Sequence, residues 1–165
     1  MPKIISGPVL IPRALENSIL SLLGQALVKD DTGKCTFQVF DADKNELHLV
    51  AYEGFTEEFI SHFKVVRPFD GSCCGRAIGV GNTVTVNDVR MDAAFAPHLH
   101  IVEAAGYRAV KSVPILGHSG KRLGVISTHF IRPKSSWNLD SLAGVTRELA
   151  LILPKLSIGH QVSSL

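Results

Sequence analysis

Two adjacent cysteines are the residues of this chain whose chemistry points most directly to a function. Cys73 and Cys74 follow Ser72 in the segment GSCCGRAIGVGNTVTVNDV, residues 71–89. Ser72 can cap a helix here, and a helix N-terminus lowers the pKa of a thiol, which would suit a redox sensor or a metal ligand. However, neither a CxxC nor a CxxH spacing occurs, and adjacent cysteines rarely pair with each other. The pattern favours two small buried side chains, with a thiol-based redox sensor as the alternative.

The glycines of the same segment raise the question of a phosphate-binding loop. Gly71, Gly75, Gly79 and Gly81 fall within eleven residues. A P-loop requires the pattern GxxxxGK[ST] between a strand and a helix, and the segment has no such lysine. We therefore expect these glycines to form turns and to allow close packing of a short helix.

The histidines are the next candidates, as metal ligands. His98 and His100 are the closest pair among the seven histidines of the chain. On a helix, side chains two residues apart point about 200° away from each other, so they could not easily share a metal ion. Irregular backbone near Pro97 would allow it, but the sequence offers no obvious third ligand. We expect no metal centre and predict surface or hydrogen-bonding roles for these histidines.

Composition and charge exclude several classes of protein. The chain has 165 residues, 45% of them hydrophobic, which suits a single domain with one core. Its net charge is only +2 and no basic run exceeds the pair Lys121–Arg122, so no nucleic-acid partner is expected. No apolar segment is long enough to span a membrane, and the N-terminus lacks the features of a signal peptide. The odd number of cysteines, three, fits free thiols in a reducing cytoplasm.

The hydrophobic pattern divides the chain into alternating helices and strands. Residues 1–12 carry three prolines and are predicted to be an extended lead-in. Beyond them, apolar residues recur with either the helix or the strand period. The predicted order is a helix from 13 to about 30, strands 35–40 and 47–52, helix 56–63, strand 64–68, helix 73–80, strand 83–89, helix 92–105, strands 107–116 and 123–131, and a last helix from 137–139 that Pro154 kinks or ends early. This order favours an α+β fold, with one six-stranded antiparallel sheet and helices on its faces.

Five segments, taken in order, resemble a known family. They are CGRAI at 74–78, TVTVNDV at 83–89, DAAFAPH at 92–98, AAGYRAVKSVPIL at 104–116 and RLGVISTHF at 122–130. Together they resemble a GAF domain, most closely the GAF modules of bacterial sensor histidine kinases and related signalling proteins. The resemblance covers about 13–158 and implies a profilin-like, PAS-related sheet with both terminal helices on one face. Residues 159–165 are predicted to be a frayed tail. DAAF, where the family often has D-P-x-F, and Pro154 depart from the family pattern.

The resemblance also implies a ligand pocket between the sheet and a lid built from the middle helices and loops. On this expectation Arg76 and His98 would anchor an anion, and Asp88 an amine or a ribose hydroxyl. The alternative for Arg76 and Asp88 is a surface salt bridge with each other. The floor would come from Phe37, Val39, Val110, Ser112, Ser127 and His129, and the lid from Cys74, Arg76, Asp88, Phe95, His98, Leu99 and Tyr107.

The first and last helices carry apolar residues at the spacing of one helix face. GAF dimers pack such helices into a bundle, so the resemblance implies a homodimer. The alternative is that both helices cover their own sheet. The predicted interface consists of Leu15, Ile19 and Leu22 of the first helix and Leu142, Val145, Leu149 and Ile152 of the last.

The function that the resemblance implies is a non-enzymatic sensory module of bacterial signal transduction. It would bind an unidentified small molecule and signal through its terminal helices, with an effector domain or kinase as a partner and no named cofactor. Three better-known ligands or activities fit less well. Free methionine sulfoxide reductases place a cysteine just before the strand corresponding to 107–116, bilin attachment uses a Cys-His pair, and cyclic-nucleotide binders usually carry N-K-x-F-x-D-E; the chain has none of these. The alternatives are a redox sensor or reductase using Cys73 or Cys74, and a dimerisation module without a ligand.

Overall fold

A computed structural model describes residues 1–159 of the chain, so most of the predicted tail at 159–165 lies outside the described residues. The described part contains α1 (Arg13–Asp30), α2 (Glu57–His62), α3 (Cys73–Val80), α4 (Leu99–Ala105) and α5 (Ala143–Ile152). Its strands are β1 (Lys3–Ile4), β2 (Val9–Leu10), β3 (Lys34–Asp41), β4 (Glu46–Glu53), β5 (Val65–Val66), β6 (Val84–Val86), β7 (Ala109–Leu116), β8 (Arg122–Phe130) and β9 (Ser157–Ile158).

Seven strands form one antiparallel sheet. Its order is β1–β4–β3–β8–β7–β6, and β5 pairs with β4. The six predicted strands are present as β3 to β8, so the predicted α+β class with an antiparallel sheet is confirmed. The lead-in at 1–12 adds β1 as a seventh strand beside β4, while β2 and β9 form a separate two-stranded pair.

Helices cover both faces of the sheet. The terminal helices α1 and α5 pack together on one face, as predicted, and α2, α3 and α4 pack on the other. Successive residues of β3 point to opposite faces because a strand has a period of two. Phe37 and Val39 therefore lie in the core beneath α1 and α5, whereas Gln38 faces the middle helices.

The side chains predicted to form a dimer interface hold the terminal helices on their own sheet. Six of the seven are buried within the chain, and the seventh, Leu15, is partly buried and packs against the same core. They have almost no surface left to offer a second chain, so the interface predicted from them is corrected: the alternative, that the helices cover their own sheet, is observed. The six buried side chains are Ile19, Leu22, Leu142, Val145, Leu149 and Ile152.

Two predicted helices differ from the observed ones. The helix predicted at 92–105 is a 3-10 turn, Ala93–His98, followed by α4, because Pro97 has no N–H to donate to a regular helix. The last helix begins only at Ala143 and ends at Ile152, where Pro154 enters another 3-10 turn, as its position predicted. No helix within residues 1–159 combines the length and the apolar character needed to cross a membrane.

A buried ion pair fastens α1 to the sheet. The Nζ atom of Lys111 on β7 lies 2.9 Å from Oδ2 of Asp30, the last residue of α1, and both side chains are almost fully buried. Thr128 of β8 donates a hydrogen bond of 2.7 Å to the same carboxylate oxygen, and Ser141 donates to the other oxygen. Lys111 also donates to the backbone carbonyl of Asn138, which holds the loop before α5. The sequence pattern gave no indication of this network.

Candidate functional site

A small, partly open cavity lies between the sheet and the middle helices. Its lining consists of fourteen residues, and the space open to the centre of a water molecule is about 20 Å³, enough for one or two waters. The sheet side is formed by Thr36, Gln38, Leu49, Val110, Ser112, Ser127 and His129. The roof side is formed by Phe59, Phe63, Ser72, Cys73, Cys74, Phe95 and Tyr107.

Cross-strand pairing between β7 and β8 sets the polar centre of the floor. Ser112 lies opposite Ser127, and Val110 lies opposite His129, so all four side chains point to one face. The two serine hydroxyl oxygens are 2.7 Å apart and form a hydrogen bond. Only one hydroxyl can donate within this pair, which leaves the proton of the other available.

The cavity has no charged side chain at neutral pH. None of its fourteen residues is Asp, Glu, Lys or Arg. Burial lowers the pKa of His129 to about 3, so its imidazole is neutral. Burial likewise raises the pKa of the Tyr107 phenol well above its ordinary value of 10.0. The site therefore has only neutral hydrogen-bonding groups and aromatic rings to offer a ligand.

Two buried side chains of the floor each keep a polar atom without a partner. They are Gln38, through Oε1, and His129, through Nδ1, with residue exposures of only 1% and 4%. Leaving a buried polar atom unpaired costs about 1–3 kcal/mol. Three further buried atoms without a partner, on Asp41, His48 and Arg76, belong to residues outside the cavity lining. Within the lining, a water or another small molecule can complete the hydrogen bonds of such atoms.

The adjacent cysteines have different surroundings. Ser72 caps α3 as predicted, since its hydroxyl accepts a hydrogen bond of 3.1 Å from the Gly75 N–H. Cys73 is buried and its thiol donates to the Val84 carbonyl, 3.2 Å away. The Cys74 sulfur lies 3.4 Å from the Ser72 hydroxyl and 3.5 Å from Nε2 of Gln38, so it belongs to the cavity.

Both thiols are held in the protonated form. Burial raises the pKa of Cys73 to about 12, and burial also raises the pKa of Cys74. The effect of the helix N-terminus that the sequence suggested is outweighed by desolvation. The third cysteine, Cys35, lies on the other face of the sheet, and burial raises its pKa to about 12 as well. None of the three has the depressed pKa of a reactive thiol.

Aromatic rings form most of the roof. The ring of Phe59 stacks on Phe55 at 3.8 Å between centroids and approaches Phe63 at 4.7 Å. Tyr107 meets His129 edge to face at 4.7 Å, which links the roof to the floor. Phe59 lies in α2, Phe55 and Phe63 flank this helix, and Tyr107 lies two residues before β7. The position of α2 therefore decides how far the cavity is closed.

A chain of hydrogen bonds, which we call the histidine latch, joins three roof segments. It consists of His62 at the end of α2, His98 at the end of the turn Ala93–His98, and Asp70 in the loop before α3. Nε2 of His62 is 2.9 Å from Nδ1 of His98, and Nε2 of His98 is 2.9 Å from the Asp70 carbonyl oxygen. Gly71 has φ +92° and lies so close to the same turn that a Cβ atom would overlap the Ala94 carbonyl oxygen. The latch therefore holds the roof closed.

Of the nine predicted ligand-binding residues, five line the cavity: Cys74, Phe95, Tyr107, Ser112 and His129. The other four, Arg76, Asp88, His98 and Leu99, do not. Arg76 pairs with Asp92 at 3.1 Å, and Asp88 pairs with Arg108 at 2.6 Å, so the alternative of an Arg76–Asp88 bridge is also wrong. His98 belongs to the latch, and Leu99 is a partly buried residue that packs on the roof core.

The predicted floor needs a correction on β3. Phe37 and Val39 belong to the core beneath the terminal helices, and their neighbours Thr36 and Gln38 form the floor instead. The floor residues predicted on β7 and β8, Val110 and Ser127 among them, do line the cavity. A polar face on a strand usually marks solvent, and only the helices on both sides of the sheet reveal that this one is buried.

The described part of the chain contains no group of three or more His, Cys, Asp or Glu side chains placed to hold a metal ion. The His98–His100 pair considered above is therefore not joined by a third ligand within residues 1–159. His98 is instead engaged with His62 and Asp70.

A family model for the GAF domain matches residues 19–153. The chain belongs to the GAF family. GAF domains are typical modules of signalling sensors, and the cavity lies between the sheet and the middle helices of this one. Comparison with curated proteins gives no significant match.

Solved structures share the fold of this GAF domain at low sequence identity. A domain of a putative two-component sensor histidine kinase from Sinorhizobium meliloti has 17% identity and a TM-score of 0.64, over 85% of this chain and 91% of that one. A GAF domain/HD domain protein from Geobacter sulfurreducens has 14% identity and a TM-score of 0.66, over 84% and 92%. A free methionine-R-sulfoxide reductase from Neisseria meningitidis, in complex with its substrate, has 21% identity and a TM-score of 0.60, over 83% and 80%. At these identities the likeness concerns the fold alone.

Proposed function

We propose that this GAF domain is a non-enzymatic regulatory module of signal transduction that binds a small molecule in the cavity beneath its roof. The observation that carries the proposal is the pair of unpartnered polar atoms on Gln38 and His129, two buried residues that line the cavity. A ligand would supply the missing hydrogen bonds. The raised pKa values of Cys73 and Cys74 speak against thiol chemistry as the main activity.

The mechanism we propose is a shift between closed and open positions of the roof. A space of about 20 Å³ holds no more than one or two waters, so a ligand enters only when α2 and the turn Ala93–His98 move apart. Ligand that occupies the open state raises its population, and the sheet carries the change to α1 and α5. We also propose that the domain works in the cytoplasm, in bacterial signalling. An effector domain or a kinase would receive the signal.

A homodimer, if it forms, would use the outer faces of the terminal helices. Val28 of α1 is 80% exposed and Leu151 of α5 is 63% exposed, whereas the inner faces are occupied by the chain's own sheet. We propose this outer surface in place of the buried residues first predicted. Sedimentation of the wild type and of Leu151→Glu would test it, and an unchanged monomer–dimer equilibrium in the variant would contradict it.

The experiment that tests ligand binding is a fragment screen by NMR on uniformly ¹⁵N-labelled protein. We expect at least one fragment to shift the amide resonances of cavity residues. Ser112→Leu, which fills the floor, should abolish these shifts. The matched control is Val113→Leu on the same strand, whose side chain lies on the face of the terminal helices and should leave binding intact.

The small volume of the cavity favours one rival hypothesis, that the GAF domain works without a ligand. That rival predicts that no fragment shifts any cavity resonance, in the wild type or in a variant with a loosened roof such as His98→Asn. This outcome would overturn the proposed function. Melting temperatures of all variants, measured in parallel, separate lost binding from lost folding.

A further inference from the structure

The lining of the cavity indicates which chemical class of ligand it would bind. This inference rests on the proposed function. We infer that the ligand is a small uncharged molecule with a flat, aromatic or similarly unsaturated body and at least one hydrogen-bonding group. Anions, ammonium ions and zwitterions are excluded from the class. The inference depends on three independent features: the absence of charge in the lining, the rings of the roof, and the unused polar atoms of the floor.

A charged ligand would lose its hydration on entering the cavity. Moving an ion from water into an apolar site without a counter-ion costs several kcal/mol even after relaxation. None of the fourteen lining residues supplies a counter-ion. Neither Arg76 nor Arg108 lines the cavity. Arg108 pairs with Asp88, and Arg76 pairs with Asp92 through Nη1, while its buried Nη2 has no partner. An anion inside the cavity would therefore contact no positive charge in the lining and would reach one only if Arg76 moved into the cavity.

A cation would likewise find no free counter-ion at Asp70. Its carboxylate already accepts hydrogen bonds from the backbone N–H and the hydroxyl of Ser72, and it lies 3.7 Å from the imidazole of His98. Aromatic rings can bind a cation by themselves, as in cages for quaternary ammonium groups. Here the unpartnered atoms of Gln38 and His129 favour a ligand that makes hydrogen bonds, which a quaternary ammonium group does not.

The rings of the roof suit a flat ligand. Phe59, Phe63, Phe95 and Tyr107 all contribute to the lining. Phe59 and Tyr107 are inclined at 76° to each other with centroids 6.1 Å apart, so they are in edge-to-face contact with each other. A flat ring could contact both of them only after α2 moves away from Tyr107. A flat body also requires the smallest displacement of α2 for the apolar area that it buries.

The floor specifies the polar part of the ligand. The Gln38 carboxamide and the His129 imidazole each retain an unused hydrogen-bonding atom, and the Ser112–Ser127 hydroxyl pair lies beside them. An amide, a phenol or a ring N–H could engage two of these groups at once. Each hydrogen bond that a ligand makes to one of these atoms satisfies a group whose burial without a partner is costly.

Benzamide, benzoate, benzylamine and benzyltrimethylammonium test the inference because they share a ring and differ in charge. Binding to the full chain at pH 7.5 would be followed by ¹⁵N chemical shifts of cavity residues. We expect benzamide to bind and the three ions to bind at least about 100-fold more weakly. Equal or tighter binding of any ion would overturn the ligand class while leaving the proposed function intact. Failure of all four probes, and of a neutral fragment library, to shift any cavity resonance would overturn the proposed function itself.

A variant of the cavity floor tests separately whether the ligand makes hydrogen bonds there. Gln38→Met keeps the length of the side chain and removes both of its polar atoms. We expect it to weaken benzamide binding about 5–10-fold and to leave toluene binding unchanged, because toluene makes no hydrogen bond. The control is Gln25→Met on the exposed side of α1. Equal losses for benzamide and toluene would show that Gln38 acts only through packing and would overturn this part of the inference.

Discussion

At the scale of single residues, the molecule shows how burial overrides a local motif. Cys73 and Cys74 follow a correctly predicted helix cap, which by itself would lower a thiol pKa. The fold instead places Cys73 in the roof core and Cys74 at the cavity wall, and desolvation raises both pKa values. The sequence identified the cap but not the burial, since burial depends on residues as distant as Gln38 and Val110.

The thiols should therefore be slow to react. At pH 8 we expect iodoacetamide to modify Cys35 and Cys73 only at the rate of global unfolding, because the pKa of each is about 12 in the folded chain. Cys74, whose pKa is also raised, should react well below the rate of a free thiol. Mass spectrometry of the alkylated protein would measure the extent of reaction at each cysteine. The fully reactive control is the protein unfolded in about 6 M guanidinium chloride. Rapid sulfenic acid formation at Cys74 with dilute peroxide would instead support the redox alternative.

His129 predicts how stability depends on pH. Its pKa is lowered from 6.5 to about 3 by burial, so below pH 6.5 the unfolded chain binds a proton that the folded chain does not. Stability is therefore complete above pH 6.5 and is lost as the pH falls towards 3, by up to about 1.4 kcal/mol per pH unit from this group. Urea unfolding of the wild type and His129→Phe between pH 4 and 7 would measure it. The exposed His118→Asn is the control, and an equal slope in His129→Phe and the wild type would refute the assignment.

At the scale of elements, the hydrophobic pattern predicted the strands of the sheet but not which face of β3 meets which layer. Strand alternation distinguishes two faces, and here both are covered by helices. Phe37 and Val39 are apolar enough to suggest a pocket floor, yet they pack beneath α1 and α5, and the more polar Thr36 and Gln38 line the cavity. Short pairings such as β2 with β9 involve two residues in each strand and leave no periodic signal.

The histidine latch predicts that acid opens the roof. Burial, followed by the neighbouring charges of His98 and His100, lowers the pKa of His62, while Asp70 opposes this effect. Because the closed roof disfavours a charged His62, lowering the pH through its ordinary range favours the open state.

Hydrogen exchange would measure this opening. We expect the amides of α2 to lose protection between pH 7.5 and 5, after correction for intrinsic exchange, while amides in the middle of α1 report global unfolding and change less. His98→Asn should lower the protection of α2 already at pH 7.5. His118→Asn, which changes an exposed histidine outside the latch, should behave as the wild type. Equal protection of α2 in all three proteins would argue against the latch.

At the scale of the whole molecule, the cavity and the terminal helices meet at adjacent residues of two strands. Ser112 and Ser127 face the cavity, and the next pair along the strands, Lys111 and Thr128, lies on the opposite face and binds the carboxylate of Asp30. A ligand bound as we propose, if it displaced the serine pair, would act on the strand residues next to those that anchor α1. The sequence could not reveal this connection, because Asp30 and Lys111 are far apart in the chain and meet only in the folded sheet.

The buried ion pair of Asp30 and Lys111 predicts different free energies of unfolding for a single and a double variant. Asp30→Asn leaves the Lys111 ammonium buried without its counter-ion and should destabilise the fold by about 3–5 kcal/mol, whereas Asp30→Leu combined with Lys111→Met should recover much of this loss. Urea unfolding would measure both. If the pair also transmits the ligand signal, benzamide should shift the amides of α1 in the wild type and leave them unshifted in the double variant, while the cavity resonances respond in both. Shifts in α1 that persist in the double variant would place the route to the terminal helices elsewhere in the sheet, because the ion pair would then be a structural fastening and not the connection.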